Sequence, residues 1–500
     1  MVRVHRGPLT IPSICRSLQP GTRHPDNRLK AVRCVLSMTT TAESYEVLRQ
    51  RHVEAFAARL AGEADKLTWP LEQLHALRDT RLRALLRVAK QHSPWHAERL
   101  RSIDPDATRP PDLAKIPTMT KADLMTHWDD IVTDRRLTLQ LANDHLATVA
   151  ADGPAYLCGE HHVVASGGSS GMRGVFAWDF EGWLSFALVR ERSSFWLDRH
   201  AARTGESRRA WVAAERAIHP TAILARTFSG SPQLGVNRSF PVTLSLSEIV
   251  AGLNGFRPTY LFAYPSMLHL LALEARAGRL RISPHELNSG AEPLLPEVRR
   301  EVEDAFGVAV INLYAAAEVG VIARSFPGSP GMHLNEDIAV CEPIDIGGLP
   351  VALGMPAAKL LVTNVINRVL PLIRYELTDE VTFLAEANPD PWTGRRIADV
   401  QGRLDDMFTY ATGVLVHPHV FRSVLGRRQG ILDYQVRQLP RGADIAVRTT
   451  TPVNLQDLSR ELVDVLTRLG LGDPEVSIRV VADFNRQAGT GKLRRFVPLG

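Results

Sequence analysis

A run of glycine and serine, SGGSSG, occupies residues 166–171 between two short apolar stretches. Glycine lets backbone N–H groups approach a ligand closely, and serine adds hydroxyl donors. Such a loop suits the oxygen atoms of a phosphate group. The Gly-Lys-Ser/Thr ending of a Walker loop is missing, and the strand-like run Val175–Trp178 follows in place of a helix. Taken alone, the pattern is more typical of a plain surface loop, so further motifs are needed to assign it.

Five further motifs carry residue types that suit work on a nucleotide. They are Asn288–Leu294, Asn312–Gly320, Val369–Glu380, Gly402–Met407 and Gly489–Arg495. Each admits a plain explanation when taken singly. Glu318 also fits an ordinary acid at a helix N-terminus, Asp379 a turn residue, and Lys492 an exposed lysine. Only the ordered set of motifs favours a shared site.

The elements around these motifs alternate in type. Apolar runs predict strands at Tyr260–Ala263 and Val308–Tyr314, and helical periodicity predicts helices at residues 266–277 and 296–306. Such alternation is typical of α/β layers, with helices packed on a largely parallel sheet. In these sheets the functional residues lie where strands end and loops begin. The motifs are therefore expected to meet at one edge of the sheet.

The chain of 500 residues, 45% of them hydrophobic, is too long for a single core. We expect a large domain over residues 38–402 and a small α+β domain over residues 403–500. The small domain would contain a helix at residues 455–469 and the lysine of the last motif. Residues 1–37, rich in arginine and proline, are interpreted as a disordered or mis-started extension.

Charge and cysteine usage exclude several classes of protein. The net charge of +5 comes from the first 37 residues, which hold six Arg, one Lys and one Asp, and the rest of the chain is close to neutral. No basic excess is left to attract nucleic acid, and no apolar run approaches the length of a membrane span. The four cysteines are scattered without a CxxC pair, so we expect a cytoplasmic protein without a zinc site.

In order and spacing, the motifs resemble the adenylate-forming superfamily of acyl-CoA synthetases and ligases, most of all its phenylacetate–CoA ligase branch. The resemblance runs from about Leu82 to Val497 and includes the stretches Pro117–Leu124 and Gly331–Asp337. It implies an α/β fold: a large N-terminal adenylate-forming domain of layered sheets and helices, plus a small mobile α+β C-terminal domain.

The resemblance also implies an activity. In the large domain, which the resemblance implies is ATP- and acid-binding, ATP and Mg²⁺ would convert a small-molecule carboxylic acid to an acyl-adenylate, and coenzyme A would then take the acyl group. The resemblance favours an aryl or arylacetic acid. A carrier-protein thiol is an alternative acceptor. The resemblance is compatible with a monomer or a homodimer.

Roles for individual residues follow from the same resemblance. Glu318 would hold Mg²⁺, Lys492 would bridge the carboxylate and the α-phosphate, and Asp405 would be the hinge of the small domain. Asp379, with Arg403 beside it, would bind the ribose, Tyr314 would stack on the adenine, and the serine and glycine loop would hold the β- and γ-phosphates. The implied ATP-binding residues are Ser166, Gly167, Gly168, Ser169, Ser170, Gly171, Ser289, Gly290, Ala291, Glu292, Tyr314, Asp379 and Arg403.

Three positions depart from the family pattern. Met172 stands where the phosphate loop usually has lysine, and Arg173 is the residue expected to supply the missing charge. Ala317 replaces a hydroxyl residue before Glu318, and Ala315 replaces a glycine. These changes weaken phosphate-side contacts, so a degenerate, non-catalytic paralogue that still binds nucleotide remains an alternative to the enzyme.

Overall fold

The computed structural model describes residues 42–107, 112–166, 173–203, 205–213, 218–242, 244–386, 391–400, 406–416, 418–425, 428, 430–449, 451–484 and 493–499. The predicted extension at residues 1–37 lies outside these ranges. Thirteen helices longer than three residues lie within the described part of the chain. They are α1 Ala42–Asp65, α2 Leu71–His92, α3 Pro94–Arg99, α4 Lys121–Thr126, α5 Trp128–Ile131, α6 Leu139–Asp152, α7 Phe180–His200, α8 Pro220–Thr227, α9 Leu246–Phe256, α10 Pro265–Arg276, α11 Pro296–Phe306, α12 Pro418–Leu425 and α13 Leu455–Arg468.

Short strands make up the remaining regular structure. Those of the first half are β1 His162–Ala165, β2 Val175–Trp178, β3 Arg208–Ala213, β4 Val236–Pro241, β5 Tyr260–Ala263, β6 Glu286–Gly290, β7 Val310–Ala316, β8 Gly320–Arg324, β9 Met332–Leu334 and β10 Ala339–Ile344. Those of the second half are β11 Pro356–Ala357, β12 Lys359–Asn364, β13 Tyr375–Leu377, β14 Val381–Thr382, β15 Arg396–Ile397, β16 Phe408–Thr409, β17 Leu415–Val416, β18 Ile431–Leu439, β19 Gly442–Thr449, β20 Glu475–Val480 and β21 Phe496–Val497.

An eight-stranded sheet, in the order β15-β9-β8-β7-β6-β5-β3-β4, organises the larger part of the chain. Strands β4, β3, β5, β6 and β7 run parallel, as predicted, whereas β8, β9 and β15 are added antiparallel at one edge. Helices α10 and α11 pack together and against β6 and β7 respectively. Helix α7 covers the sheet face that carries Trp211, whose ring lies 4.1 Å below the Arg190 guanidinium.

A second sheet, β10-β12-β13, is antiparallel throughout and brings a further segment of the chain to the first sheet. The backbone of Met119 extends β13 on its open side, because Met119 N–H donates to the Arg374 carbonyl at 3.0 Å and the Met119 carbonyl accepts from Glu376 N–H at 2.9 Å. Residues just before α4 are thereby tied to the strand that ends shortly before Asp379.

Residues 406–499 form their own hydrophobic cluster around Phe421, Val436, Leu462 and Phe496. Its sheet has the order β20-β19-β18-β21, with β18 and β19 antiparallel and both outer strands parallel to their neighbours. This arrangement agrees with the α+β character predicted for the end of the chain. In the part of the chain described, no helix combines the length and the apolar character needed to cross a membrane.

A cluster of buried histidines lies between α1, α6 and β1. Burial lowers the pKa of His52 and of His145 to about 4, and it lowers the pKa of His162 well below its usual value. The rings around them are aromatic: His52 lies 3.9 Å from Phe180 and His162 lies 4.5 Å from Trp183, measured between centroids. A positive charge here would be placed in a nearly dry, apolar environment.

This cluster predicts that the fold loses stability in acid at pH values above those at which carboxylates become protonated. The unfolded chain protonates His52 and His145 near pH 6.5, and the folded chain protonates them only near pH 4, so stability is lost as the pH falls between these values. For His52 the loss from pH 6.5 to 5 is about 2 kcal/mol. The His52→Leu variant should show a smaller fall in urea midpoint between pH 7 and pH 5 than the parent protein. The matched control is the His92→Leu variant, which changes an exposed histidine. An equal fall in urea midpoint for the two variants would contradict the role given to His52.

Candidate active site

The serine- and glycine-rich motif connects two strands of a hairpin. Strands β1 and β2 pair antiparallel with Ala165 opposite Val175, and Ser166 closes the base of the loop. Its N–H donates to the Gly174 carbonyl at 2.9 Å, and its Oγ accepts from Gly174 N–H at 2.8 Å. A side chain at Gly174 would place Cβ 2.6 Å from the Phe176 ring, so glycine is required there.

The tip of this loop is not among the described residues. Gly167, Gly168, Ser169, Ser170, Gly171 and Met172 fall outside them, and so do Arg403, Asp405 and Lys492. Their predicted roles stay predictions. Arg173, at the descending side of the loop, is exposed.

The ends of two parallel strands bring the next motifs together. Ser289 and Gly290 end β6 and lie opposite Asn312 and Leu313 of β7. A Cβ at Gly290 would come 2.9 Å from the Leu313 carbonyl oxygen, and Ala291 then turns the chain with a φ of 68°. Among the described residues, the fully buried Ser289 Oγ has no hydrogen-bond partner. An unsatisfied buried hydroxyl at a strand end fits a polar ligand group.

Tyr314 and Asp379, 65 positions apart, are in direct contact. The Tyr314 hydroxyl donates to Asp379 Oδ2 at 3.0 Å, and both side chains are buried. The hydrogen bond holds the tyrosine ring beside the carboxylate. A base stacked on the ring and a ribose hydroxyl donating to the carboxylate would therefore belong to one nucleoside.

Glu318 lies at the tip of the β7–β8 hairpin, where Val319 N–H donates to the Ala316 carbonyl at 3.2 Å. The plain interpretation of Glu318 as an acid at a helix N-terminus is therefore wrong. The carboxylate is buried, with only 7% of the residue exposed. Asn364 Nδ2 holds the backbone by donating to the Glu318 carbonyl at 2.9 Å. A buried carboxylate oxygen is the kind of hard ligand that Mg²⁺ takes beside phosphates.

Lys121 is the residue that sequence reasoning missed. Its Nζ lies 4.0 Å from Glu318 Oε1, and a Cβ built at Gly174 would lie 3.1 Å from its Cε. The lysine thus extends between the base of the glycine-rich hairpin and the carboxylate expected to bind metal. Its place in the sequence offered one signal: it is the first residue of α4, where the helix macrodipole disfavours a cation. Thr120 and Asp123 form a capping box that fixes the helix start there.

Glu292 joins two segments that are far apart in the chain. Its Oε2 accepts from Ser266 N–H at 3.1 Å, and its Oε1 accepts from Leu493 N–H at 3.0 Å. Leu493 directly follows Lys492 in the chain, so the last motif lies against the motif that contains Ser289 and Gly290. Residues from both ends of the predicted set are brought to the same strand ends.

A group of three other potential metal ligands, Asp134, Glu160 and His161, occurs among the described residues. Arg136 donates to Asp134 at 2.6 Å and to Glu160 at 2.9 Å. The two carboxylates therefore already share the Arg136 guanidinium, and the group is explained as an ion-pair cluster.

Comparison with solved structures identifies the class of fold. The crystal structure of 2-hydroxyisobutyryl-CoA ligase in the postadenylation state in complex with R3-HIB-AMP superimposes with a TM-score of 0.65 at 19% identity, over 87% of this chain and 91% of that one. The open conformation of that ligase, in complex with 2-HIB-AMP and CoA, gives 0.52 at 20% identity, over 84% and 90%. The chain therefore has the fold of the adenylate-forming CoA ligases, as the motifs predicted.

The curated relatives of the chain are phenylacetate-coenzyme A ligases. The chain is 28% identical over 438 residues to the phenylacetate-coenzyme A ligase of Thermus thermophilus, covering 80% of this chain and 88% of that enzyme. It is 31% identical over 171 residues to the phenylacetate-coenzyme A ligase of Pseudomonas putida, covering 33% and 38%. No protein-family profile matches the chain. The chain is thus a homologue of phenylacetate–CoA ligases, and the recognition made from its motifs is confirmed.

Lys121 yields a direct prediction. Replacing it by methionine keeps most of the volume and removes the cation beside the phosphate loop, so adenylation should slow on the order of 10²-fold, as for loss of one transition-state donor. Pyrophosphate release from ATP and the acid measures this rate. Lys115→Met, which changes a lysine with a 68% exposed side chain, is the control. If the two variants release pyrophosphate at equal rates, Lys121 has no role in adenylation.

Proposed function

We propose that this protein is an AMP-forming acid–CoA ligase. It activates a carboxylic acid with ATP to an acyl-adenylate and then transfers the acyl group to the thiol of coenzyme A. One observation carries the proposal: within a fold shared with acid–CoA ligases, the buried Tyr314 hydroxyl donates to Asp379, and these are the two residues expected to bind the nucleoside.

Two displacements make up the reaction. In the first, a carboxylate oxygen attacks the α-phosphorus of ATP, and the bond to the β-phosphate oxygen breaks to release pyrophosphate. In the second, the thiol sulfur attacks the acyl carbon, and AMP leaves with the bonding electron pair while the thiol proton passes to solvent or a base. The first step brings two anions together, so its barrier falls when cations surround them.

Residues of both predicted domains divide this work. Asp379 orients the ribose, Tyr314 orients the adenine, and Lys121 neutralises phosphate charge that Met172 leaves uncompensated. Arg173 is a second cation on the loop. Glu318 would hold Mg²⁺, which when bound supplies positive charge to the phosphate oxygens. Lys492 contributes a cation from the small domain, with Arg403 and Asp405 at the predicted domain boundary.

An aromatic acid is the favoured substrate class. The similarity to phenylacetate–CoA ligases supports this choice, because phenylacetate is an arylacetic acid. Trp211 on β3, Phe262 on β5 and Tyr264 directly after β5 are buried aromatic side chains, with centroids 5.2 Å apart for the first pair and 6.5 Å for the second. Trp211 packs beneath Arg190 of α7 and so belongs to the core.

Three further features belong to the proposal. The small domain, residues 403–500, turns about Asp405 between the two half-reactions, and the larger part spans residues 38–402. The protein acts as a monomer or homodimer in the cytoplasm, where its nucleotide and thiol substrates are made. Neither nucleic acid nor membrane is needed as a partner.

Two alternatives are separated by simple assays. A carrier-protein acceptor would leave pyrophosphate release intact but give no thioester with free coenzyme A. A nucleotide-binding paralogue, suggested by Met172 and Ala317, would bind ATP and release no pyrophosphate with any acid of a panel. Lys121 favours the enzyme, because it returns a cation to the side of the loop where methionine removed one.

The metal assignment predicts a magnesium-dependent defect. Glu318→Gln keeps the shape of the side chain and removes one charged ligand, so adenylation should weaken at low Mg²⁺ and partly recover as Mg²⁺ is raised. The rate of pyrophosphate release is measured across a Mg²⁺ titration for both proteins. Superimposable titration curves would refute the role of Glu318 as a metal ligand.

Lys492→Ala tests the two-step scheme itself. The first half-reaction should slow by about 10²–10³-fold, as when a single oxyanion donor is removed. The second should proceed at close to the parental rate when synthetic acyl-adenylate and coenzyme A are supplied, since the lysine acts only while the two anions meet. A variant that adenylates normally would show that Lys492 is not the catalytic lysine.

A further inference from the structure

Glu292 connects two parts of the chain that are 201 residues apart. One carboxylate oxygen accepts from Ser266 N–H, in the first turn of α10, and the other accepts from Leu493 N–H. The first bond fixes the side chain to a helix of twelve residues, whose N-terminus favours a negative charge. The second bond reaches the last segment of the chain. Both carboxylate oxygens are therefore used in holding one part of the molecule to another.

Leu493 belongs to a firmly anchored segment. Its side chain is buried with Phe484 and Ala446. Two residues later, the Arg495 carbonyl accepts from Val436 N–H at 2.8 Å, and the Arg495 guanidinium contacts the Asp433 carboxylate at 2.7 Å in a buried ion pair. The Leu493 amide is thus firmly connected to the sheet of strands β18–β21.

The same contact continues along α10. His269 lies one turn after Ser266, with Nδ1 3.0 Å from Glu301 Oε2 on α11. Burial lowers the pKa of His269, Glu301 and Asp433 oppose this, and Arg448 and Arg495 reinforce it. The bond that Glu292 accepts from Ser266 therefore lies one helical turn before the contact between His269 and Glu301.

We propose that Glu292 is a positioning residue that holds the C-terminal segment against α10 in the arrangement used for adenylation. This inference rests on the proposed function, because Leu493 follows the lysine assigned to that half-reaction. A hydrogen bond between a carboxylate and a backbone amide is strong enough to favour one arrangement and is readily broken when the thioester step requires another. The role differs from lining the adenine, which was the expectation from the sequence.

The test compares Glu292→Ala and Glu292→Gln with Glu297→Ala, which removes a neighbouring acid in the first turn of α11. Glu292→Ala should lower the turnover rate of adenylation by about 10–100-fold, the range expected for loss of one charge-assisted hydrogen bond. The KM for ATP should change less than twofold, and thioester formation from synthetic acyl-adenylate should keep the parental rate. Glu292→Gln, which retains one acceptor oxygen, should fall between, and Glu297→Ala should match the parent.

Two kinetic outcomes would overturn the inference. A raised KM for ATP at unchanged turnover would assign Glu292 to adenine binding. Equal slowing of both half-reactions, with a lower melting temperature, would assign it a purely structural role.

A second measurement does not depend on catalysis. Hydrogen–deuterium exchange is followed in a peptide spanning Leu493, in the full-length parent and the same variants. Glu292→Ala should raise exchange in that peptide, and Glu297→Ala should leave it unchanged. If Glu292→Ala raises exchange in this peptide but the parent releases no pyrophosphate with any acid, the contact between Glu292 and Leu493 is confirmed and the proposed function is wrong. Exchange that is unchanged in Glu292→Ala would overturn the positioning role whatever the activity.

Discussion

Two sheets meet at the site, and the buried hydrogen bond from Tyr314 to Asp379 joins them there, together with a second one from Asn364 to the Glu318 carbonyl. Tyr314 belongs to β7 of the eight-stranded sheet, and Asp379 follows β13 of the three-stranded sheet. A hydrogen bond to a carboxylate away from water is worth about 1.5–3 kcal/mol, and leaving either partner unpaired costs more than the bond itself contributes. The pairing therefore fixes the distance between the sheets. Lys121 depends on it too, because the Met119 backbone is bonded to β13.

Buried charge below the strand ends holds the other half of the site in place. Arg324 on β8 donates to Glu286 at 2.9 Å and to Asn288 at 3.0 Å, both on β6, and to Ser194 on α7 at 3.3 Å. Removing one member of such a network leaves an uncompensated buried charge, which is strongly unfavourable. The network thus specifies how β6, β8 and α7 lie against one another. The network therefore also fixes the position of Ser289 and Gly290, which lie at the carboxyl end of β6.

Elements with local signals could be predicted closely from the sequence. The predicted helix at residues 296–306 has the same bounds in the structure, because proline at its first position and a left-handed Gly307 with a φ of 67° mark its two ends. The helix predicted at residues 455–469 also starts at the predicted residue, with Asn454 as its N-cap, and ends one residue earlier, at Arg468. Local capping chemistry therefore locates helix ends closely.

Contacts between distant segments could not be predicted in this way. The order of the motifs indicated that Tyr314 and Asp379 serve one nucleotide, but no local pattern states that the two side chains touch. The antiparallel strands β8, β9 and β15 were missed as well, because a short apolar run does not encode the direction of its partner. Glu292 is the extreme case: its partner, Leu493, lies 201 residues away. Such a contact depends on the docking of a whole segment.

The departures from the family pattern gain a physical meaning from this geometry. A phosphate loop needs positive charge nearby, but the charge does not have to come from the loop itself, since a cation acts through distance and dielectric and not through chain connectivity. Met172 removes a charge from the loop, and Lys121 brings one from the start of α4 to the base of the same hairpin. That position also lies 4.0 Å from Glu318, so the lysine can attract phosphate oxygens without depriving the carboxylate of a close metal. Because Lys121 supplies a cation near the base of the hairpin, the missing loop lysine is weak evidence for a degenerate paralogue.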